Sequence, residues 1–137
     1  MAMAGSLRSQ NAPASSAEAE RARHRLAISL LRGINTAEAE YMQKHGAYAK
    51  KDTLLASEEF KGKGWAWPVR MIHNWRSQSP RMVRKSCRAW SLRLNVTADG
   101  KSYDVLLEDT TDKSCAYAAV TDERGIIRQS KAIDCQI

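Results

Sequence analysis

An α+β fold is predicted, with a long N-terminal helix packed on a four-stranded antiparallel meander. Three observations predict it. Residues 17–45 carry one apolar stripe at helical spacing. From Trp90 the apolar period drops to two. Asp99-Gly100 and Gly125 then punctuate the second half, so its strands follow one another as hairpins. Helix first and meander second places the apolar face of the sheet on the helix.

Residues 1–14, MAMAGSLRSQNAPA, are small and polar without periodicity, and are expected to be a disordered arm or appended residues. Residues 15–137 are expected to form one domain. Its spine is a helix over 15–46, with Ala27, Leu30, Leu31, Ile34, Ala37, Tyr41 and Met42 on one face. Arg25, Arg32, Glu38, Glu40 and Lys44 mostly fall away from that stripe. Ser15 or Ser16 offers an N-cap, and Glu18 and Glu20 suit the positive helix end. Gly46 is a natural stop behind Lys44 and His45. Asp52 or Thr53 could cap a short second helix carrying Leu54, Leu55 and Phe60. Residues 61–89 hold two Gly and two Pro and read as an irregular, variable loop. The sheet and tail occupy 90–137. Trp90, Leu92, Leu94 and Val96 make the first strand, and Tyr103, Val105 and Leu107 the second. Residues 115–120 and 126–129 form the second hairpin, with Val120 expected near Ile127.

Composition narrows the function classes. The chain has 137 residues, 43% hydrophobic and 27% charged, as in an ordinary globular domain. No apolar run approaches the ~18 residues of a bilayer span, and no signal peptide is evident. The net charge is +7, and it is concentrated. Lys61, Lys63, Arg70, Arg76, Arg81, Arg84, Lys85, Arg88 and Arg93 fall in one stretch, with no acid between Glu59 and Asp99. Without those nine cations the remainder carries −2.

Two segments resemble a known family. LLRGINTAEAEYMQKHGAYA (30–49) is similar to the end of the long helix of bacterial type IV pilin-like proteins, and AVTDERGIIR (119–128) to their last hairpin. A YDV strand and a cysteine near the C-terminus agree, so the resemblance spans about residues 15–137. It implies a minor pilin or pseudopilin, a structural subunit of a type IV pilus or type II secretion-like fibre. The implied location is the periplasmic face of the inner membrane or an extracellular fibre. Its partners would be other pilin-like subunits, met through the helix, with Leu26, Leu30 and Ile34 shared between the domain core and that assembly face. Pilins carry a cleaved leader and an apolar half-helix ahead of this segment, and the membrane would be reached only through such an anchor. The residues present are therefore expected to be a soluble domain of a longer chain. The middle, 61–89, matches no part of the family pattern.

The resemblance also implies a disulfide at the C-terminus, between Cys115 and Cys135. In the expected hairpin register Cys115 lies opposite Ala132, within reach of Cys135 if the tail folds back. Such a bridge would stabilise the fold by roughly 3 kcal/mol. Cys87 is an alternative partner, and free thiols are the plain reading. The basic segment supports a second function, nucleic-acid binding through Arg70, Trp75, Arg76, Arg81, Arg84, Lys85 and Arg88. The plain reading there is a solvated basic face, with Trp65, Trp67 and Trp90 in the core. A third reading is a stand-alone soluble interaction domain. His24, His45 and His73 lack metal-ligand spacing, so neither metal nor cofactor is expected. Nucleophile-elbow, phosphate-loop and dinucleotide motifs are missing from the sequence, so no catalysis is expected. Glu38 and Glu40 point apart on the helix, and Asp104, Glu108, Asp109 and Asp112 are expected on the outer face or in turns.

Overall fold

The computed structural model describes residues 16–62, 90–111 and 116–131. Helix α1 runs Ser16–His45, 30 residues and about 45 Å long. Two short helices follow, α2 at Lys51–Ala56 and α3 at Glu58–Lys61. Strands β1 (Trp90–Val96), β2 (Tyr103–Asp109), β3 (Ala118–Asp122) and β4 (Arg128–Ser130) form an antiparallel sheet in the order β1-β2-β3-β4. The architecture is the predicted α+β one. Among the described residues no helix is long and apolar enough to cross a membrane.

The helix forms where its stripe can be covered. Ala27, Leu30, Leu31, Ile34 and Ala37 are all buried, and they meet Leu92, Val105, Leu107, Ala119 and Tyr117 in one core. Covering a side chain of the size of Leu31 or Ile34 contributes roughly 1.5–3 kcal/mol. Tyr41 packs against the edge of this core, and Met42 is half-buried. Gly46 ends the helix at φ +75°, its N–H donating to the Met42 carbonyl at 2.8 Å. The β1–β2 hairpin turns at Asp99-Gly100, and the β3–β4 hairpin at Gly125, with φ +67° and +72°.

Three details differ from the sequence expectations. Neither Asp52 nor Thr53 caps the second helical segment. Lys50 stands at the start of α2 without a side-chain bond, and Ser57 splits the segment by capping Phe60 of α3. Leu54, Leu55 and Phe60 are nonetheless buried together. The last hairpin is shifted by one residue. Val120 pairs with Arg128, Ala119 with Gln129 and Ala118 with Ser130, so Ile127 is not the partner of Val120. The turn thereby takes in Ile127, and Ile126 is left about half exposed.

Candidate functional site

The helix–sheet interface holds polar groups at three levels. Nearest the start of α1, Arg23 reaches across to the end of β2. Its Nη2 lies 2.6 Å from the Asp109 carboxylate, and its guanidinium stands 5.7 Å from the centre of the Trp90 ring. Asp109 also accepts from the Thr111 backbone N–H at 2.9 Å and hydroxyl at 2.8 Å. Next to Arg23, the His24 ring stacks on Tyr117 with centroids 3.7 Å apart. Burial, followed by the charge of Lys131, lowers the pKa of His24. Tyr117 meets Trp90 edge-on and donates its hydroxyl to Gln129 at 2.7 Å. Burial, with Asp109 adding to it, pushes the Tyr117 phenol up to about 12, which keeps it a donor.

Halfway along α1, Asn35 makes a crossed bridge between strands. It accepts from the Tyr103 hydroxyl at 2.9 Å and donates to the Thr121 hydroxyl at 2.9 Å. One turn further on, Glu38 is fully buried. Its Oε2 accepts from the Ala49 N–H at 2.8 Å, while its Oε1 has no hydrogen-bond partner among the described residues. Burial raises its carboxyl from 4.5 to about 7, against the opposing pull of the Ala49 N–H.

Two carboxylates therefore lie where the sequence reading did not put them. Glu38 belongs to the buried stripe and Asp109 to the inner face of β2, instead of the outer face or a turn. A signal existed for each. Glu38 stands four residues after Ile34, and Asp109 continues the alternation of Tyr103, Val105 and Leu107. Asp104 is exposed and Glu108 half-buried, while Asp112 lies outside the described residues.

Of the helix residues expected to be shared between the domain core and an assembly face, the core covers two. Leu30 and Ile34 are 3% and 0% exposed, covered by the domain's own core, while Leu26 is half-buried. The outward side of α1 carries Arg21, Arg25, Arg32, Thr36 and Ala39. Cys87, Cys115 and Cys135 lie outside the described residues. So do Arg70, Trp75, Arg76, Arg81, Arg84, Lys85 and Arg88, together with Trp65, Trp67 and His73. Trp90 is buried, and Arg93 is exposed, 3.5 Å from Glu108 across the strand pair. Among the described residues no cluster of three His, Cys, Asp or Glu side chains could hold a metal ion. No family model, curated protein or solved structure matches this chain.

Proposed function

We propose that this chain is the soluble domain of a pilin-like protein, a non-catalytic structural subunit of a type IV pilus or secretion-type fibre. The observation that carries the reading is a pair of sequence segments set on one architecture. The segment around INTAEAEY lies on a 30-residue helix, and the segment around DERGIIR forms the last turn of an antiparallel meander packed on it. A helix with one side in the core and the other open can meet neighbouring subunits without unfolding its own domain. Its outward side offers Arg25 and Arg32, with Leu26 at the border of the core. The reading frame ahead of Met1 is the test. A leader followed by about twenty apolar residues, enough for a bilayer span, supports the subunit reading. A native start at Met1 with no such segment removes it and leaves a soluble interaction domain.

The charge distribution favours a second reading, a DNA-binding pilin-like module. Nine cations without an intervening acid between Glu59 and Asp99 can neutralise phosphates. A fluorescent duplex of about 20 base pairs is titrated at two salt concentrations, against a variant with Arg81, Arg84, Lys85 and Arg88 changed to Ser. Counterion release predicts binding that weakens steeply with salt and drops in the variant. No binding at low salt ends this reading and leaves the structural one alone.

A further inference from the structure

Glu38 occupies a joint. The connector between α1 and α2, residues 46–50, is held from two sides. On the sheet side the Tyr48 N–H donates to the Gly100 carbonyl at 2.9 Å, and Lys101 Nζ donates to the Gly46 carbonyl at 2.9 Å. The two backbones are so close that a Cβ on Gly100 would lie 2.8 Å from the Ala47 Cβ. The Tyr48 ring meets Tyr103 of β2 edge-on, with centroids 4.7 Å apart. On the helix side the Gly46 N–H is bonded to the Met42 carbonyl, and beyond it the Ala49 N–H is bonded to the Glu38 side chain. The connector thus rides with the β1–β2 hairpin, and Glu38 fastens both to the helix.

That fastening depends on charge. An ionised carboxylate can accept four or more hydrogen bonds, and here it has one. A buried charge with one donor is strongly disfavoured, whereas a neutral carboxyl leaves a single hydroxyl unmatched. Among the described residues no cation bonds either carboxylate oxygen. The ionisable groups at this end include Tyr103 on β2, Asp122 and Glu123 at the end of β3, Tyr48 and Lys50 on the connector, Lys51 on α2, and Lys101 of the β1–β2 turn, which is bonded to the Gly46 carbonyl. Glu59 on α3 is already paired with Lys44 at 2.7 Å. None of them donates to Oε1. Tyr103 gives its hydroxyl to Asn35, and its phenol is held protonated by burial and then by the nearby Glu38 charge.

We propose that Glu38 is a proton-operated latch: protonated, it stays in the core and holds Ala49, and ionised, it swings to water and frees the connector around Ala49. The closed joint belongs to mildly acidic conditions, and the open one to alkaline conditions. Opening loosens the connector around Ala49, while Gly46 stays bonded to Met42 and Leu31, Ile34 and the rest of the core stay packed.

Amide hydrogen exchange of the whole chain from pH 5.5 to 8.5 tests this, with the base-catalysed intrinsic rate divided out. Linkage makes the opening constant rise about tenfold for each pH unit between the free glutamate value of 4.5 and the folded value of about 7, and level off above it. The protection of Ala49 should therefore fall about tenfold between pH 5.5 and 6.5 and level off above pH 7, while the amides of Leu31 and Val105 hold theirs. In E38Q the amide oxygen still accepts from Ala49 but cannot ionise, so protection should not change with pH. Carbon-13 detection of the Glu38 carboxyl in the unaltered protein gives a readout that does not need the variant to fold. A titration midpoint in the ordinary glutamate range, or Ala49 protection constant across this pH window, overturns the proposal.

Discussion

Two carboxylates are buried under the same helix, about 20 Å apart along its axis, and they are kept there by opposite means. Asp109 is surrounded by donors: the Arg23 guanidinium, the Thr111 backbone N–H and the Thr111 hydroxyl. Glu38 has one backbone N–H and an oxygen that meets nothing. The first charge is compensated in place. The second is tolerable chiefly without its charge. One end of the helix–sheet interface is thus pinned by an ion pair, and the other is fastened by a group that protons control. Sequence offers no distinction between them, since both are acids on an apolar periodicity.

The largest effect expected from that contrast is at Glu38. Its carboxyl is raised from 4.5 to about 7 in the fold. A group of that kind stabilises the fold fully below pH 4.5 and loses its contribution as pH rises through 7. At 1.36 kcal/mol per pH unit the loss is at most roughly 3 kcal/mol. Release of the connector relieves the buried charge before the whole domain unfolds, so the measured loss should lie below that ceiling. Urea midpoints at pH 5 and pH 8 should converge in Glu38→Gln and diverge in the parent. Equal slopes for both proteins would mean that Glu38 is ionised in place at no cost.

The next effect attacks the paired end. Arg23→Met keeps an apolar stem over Trp90 but takes the guanidinium away from the Asp109 side chain, which is 2% exposed. Breaking a buried pair from one side costs about 3–5 kcal/mol. The Arg23 side chain is 35% exposed, so water already screens the pair and about 2 kcal/mol is expected. Adding Asp109→Asn should return part of that loss, because the stranded charge is then gone. A denaturation midpoint unchanged by Arg23→Met would show that Asp109 does not depend on the Arg23 guanidinium.

The long helix, the period-two strands and the turns at Gly100 and Gly125 were legible because each rests on neighbours in sequence. The two acids were not, although their spacing pointed inward. Charge outweighs periodicity in a residue-by-residue reading, and only the partner across the fold shows whether a charge is met. Arg23 and Asp109 are 86 positions apart. The one-residue shift of the last hairpin has the same origin, since the pairing of Val120 with Arg128 is set by how the turn closes and not by the apolar pattern. Ser57 gives no cap signal in the sequence, because a single helix through Phe60 fits the spacing of Leu54 and Leu55. The cysteine pairing and the basic contact surface fall outside the described residues.

The smallest effect sharpens the comparison most, because it reverses its sign. His24 lies beside Arg23 at the paired end, stacked on Tyr117, and burial lowers its pKa, with Lys131 adding to the shift. The neutral ring is the one that fits. A group whose folded pKa is depressed below 6.5 contributes fully above 6.5 and loses its contribution as pH falls through the folded value. Acid therefore weakens the His24 end while alkali weakens the Glu38 end, and between pH 4.5 and 7 the two trends oppose each other in the parent protein. A stability profile of the parent alone sums them. His24→Phe retains a flat ring for Tyr117 and cannot charge, so its profile should show the Glu38 fall with the acid loss reduced. Glu38→Gln should show the reverse, a profile that declines towards acid without the alkaline fall. If His24→Phe runs parallel to the parent below pH 6.5, the imidazole is taking its proton without leaving the stack, and the two ends of the helix do not answer to pH in opposite directions.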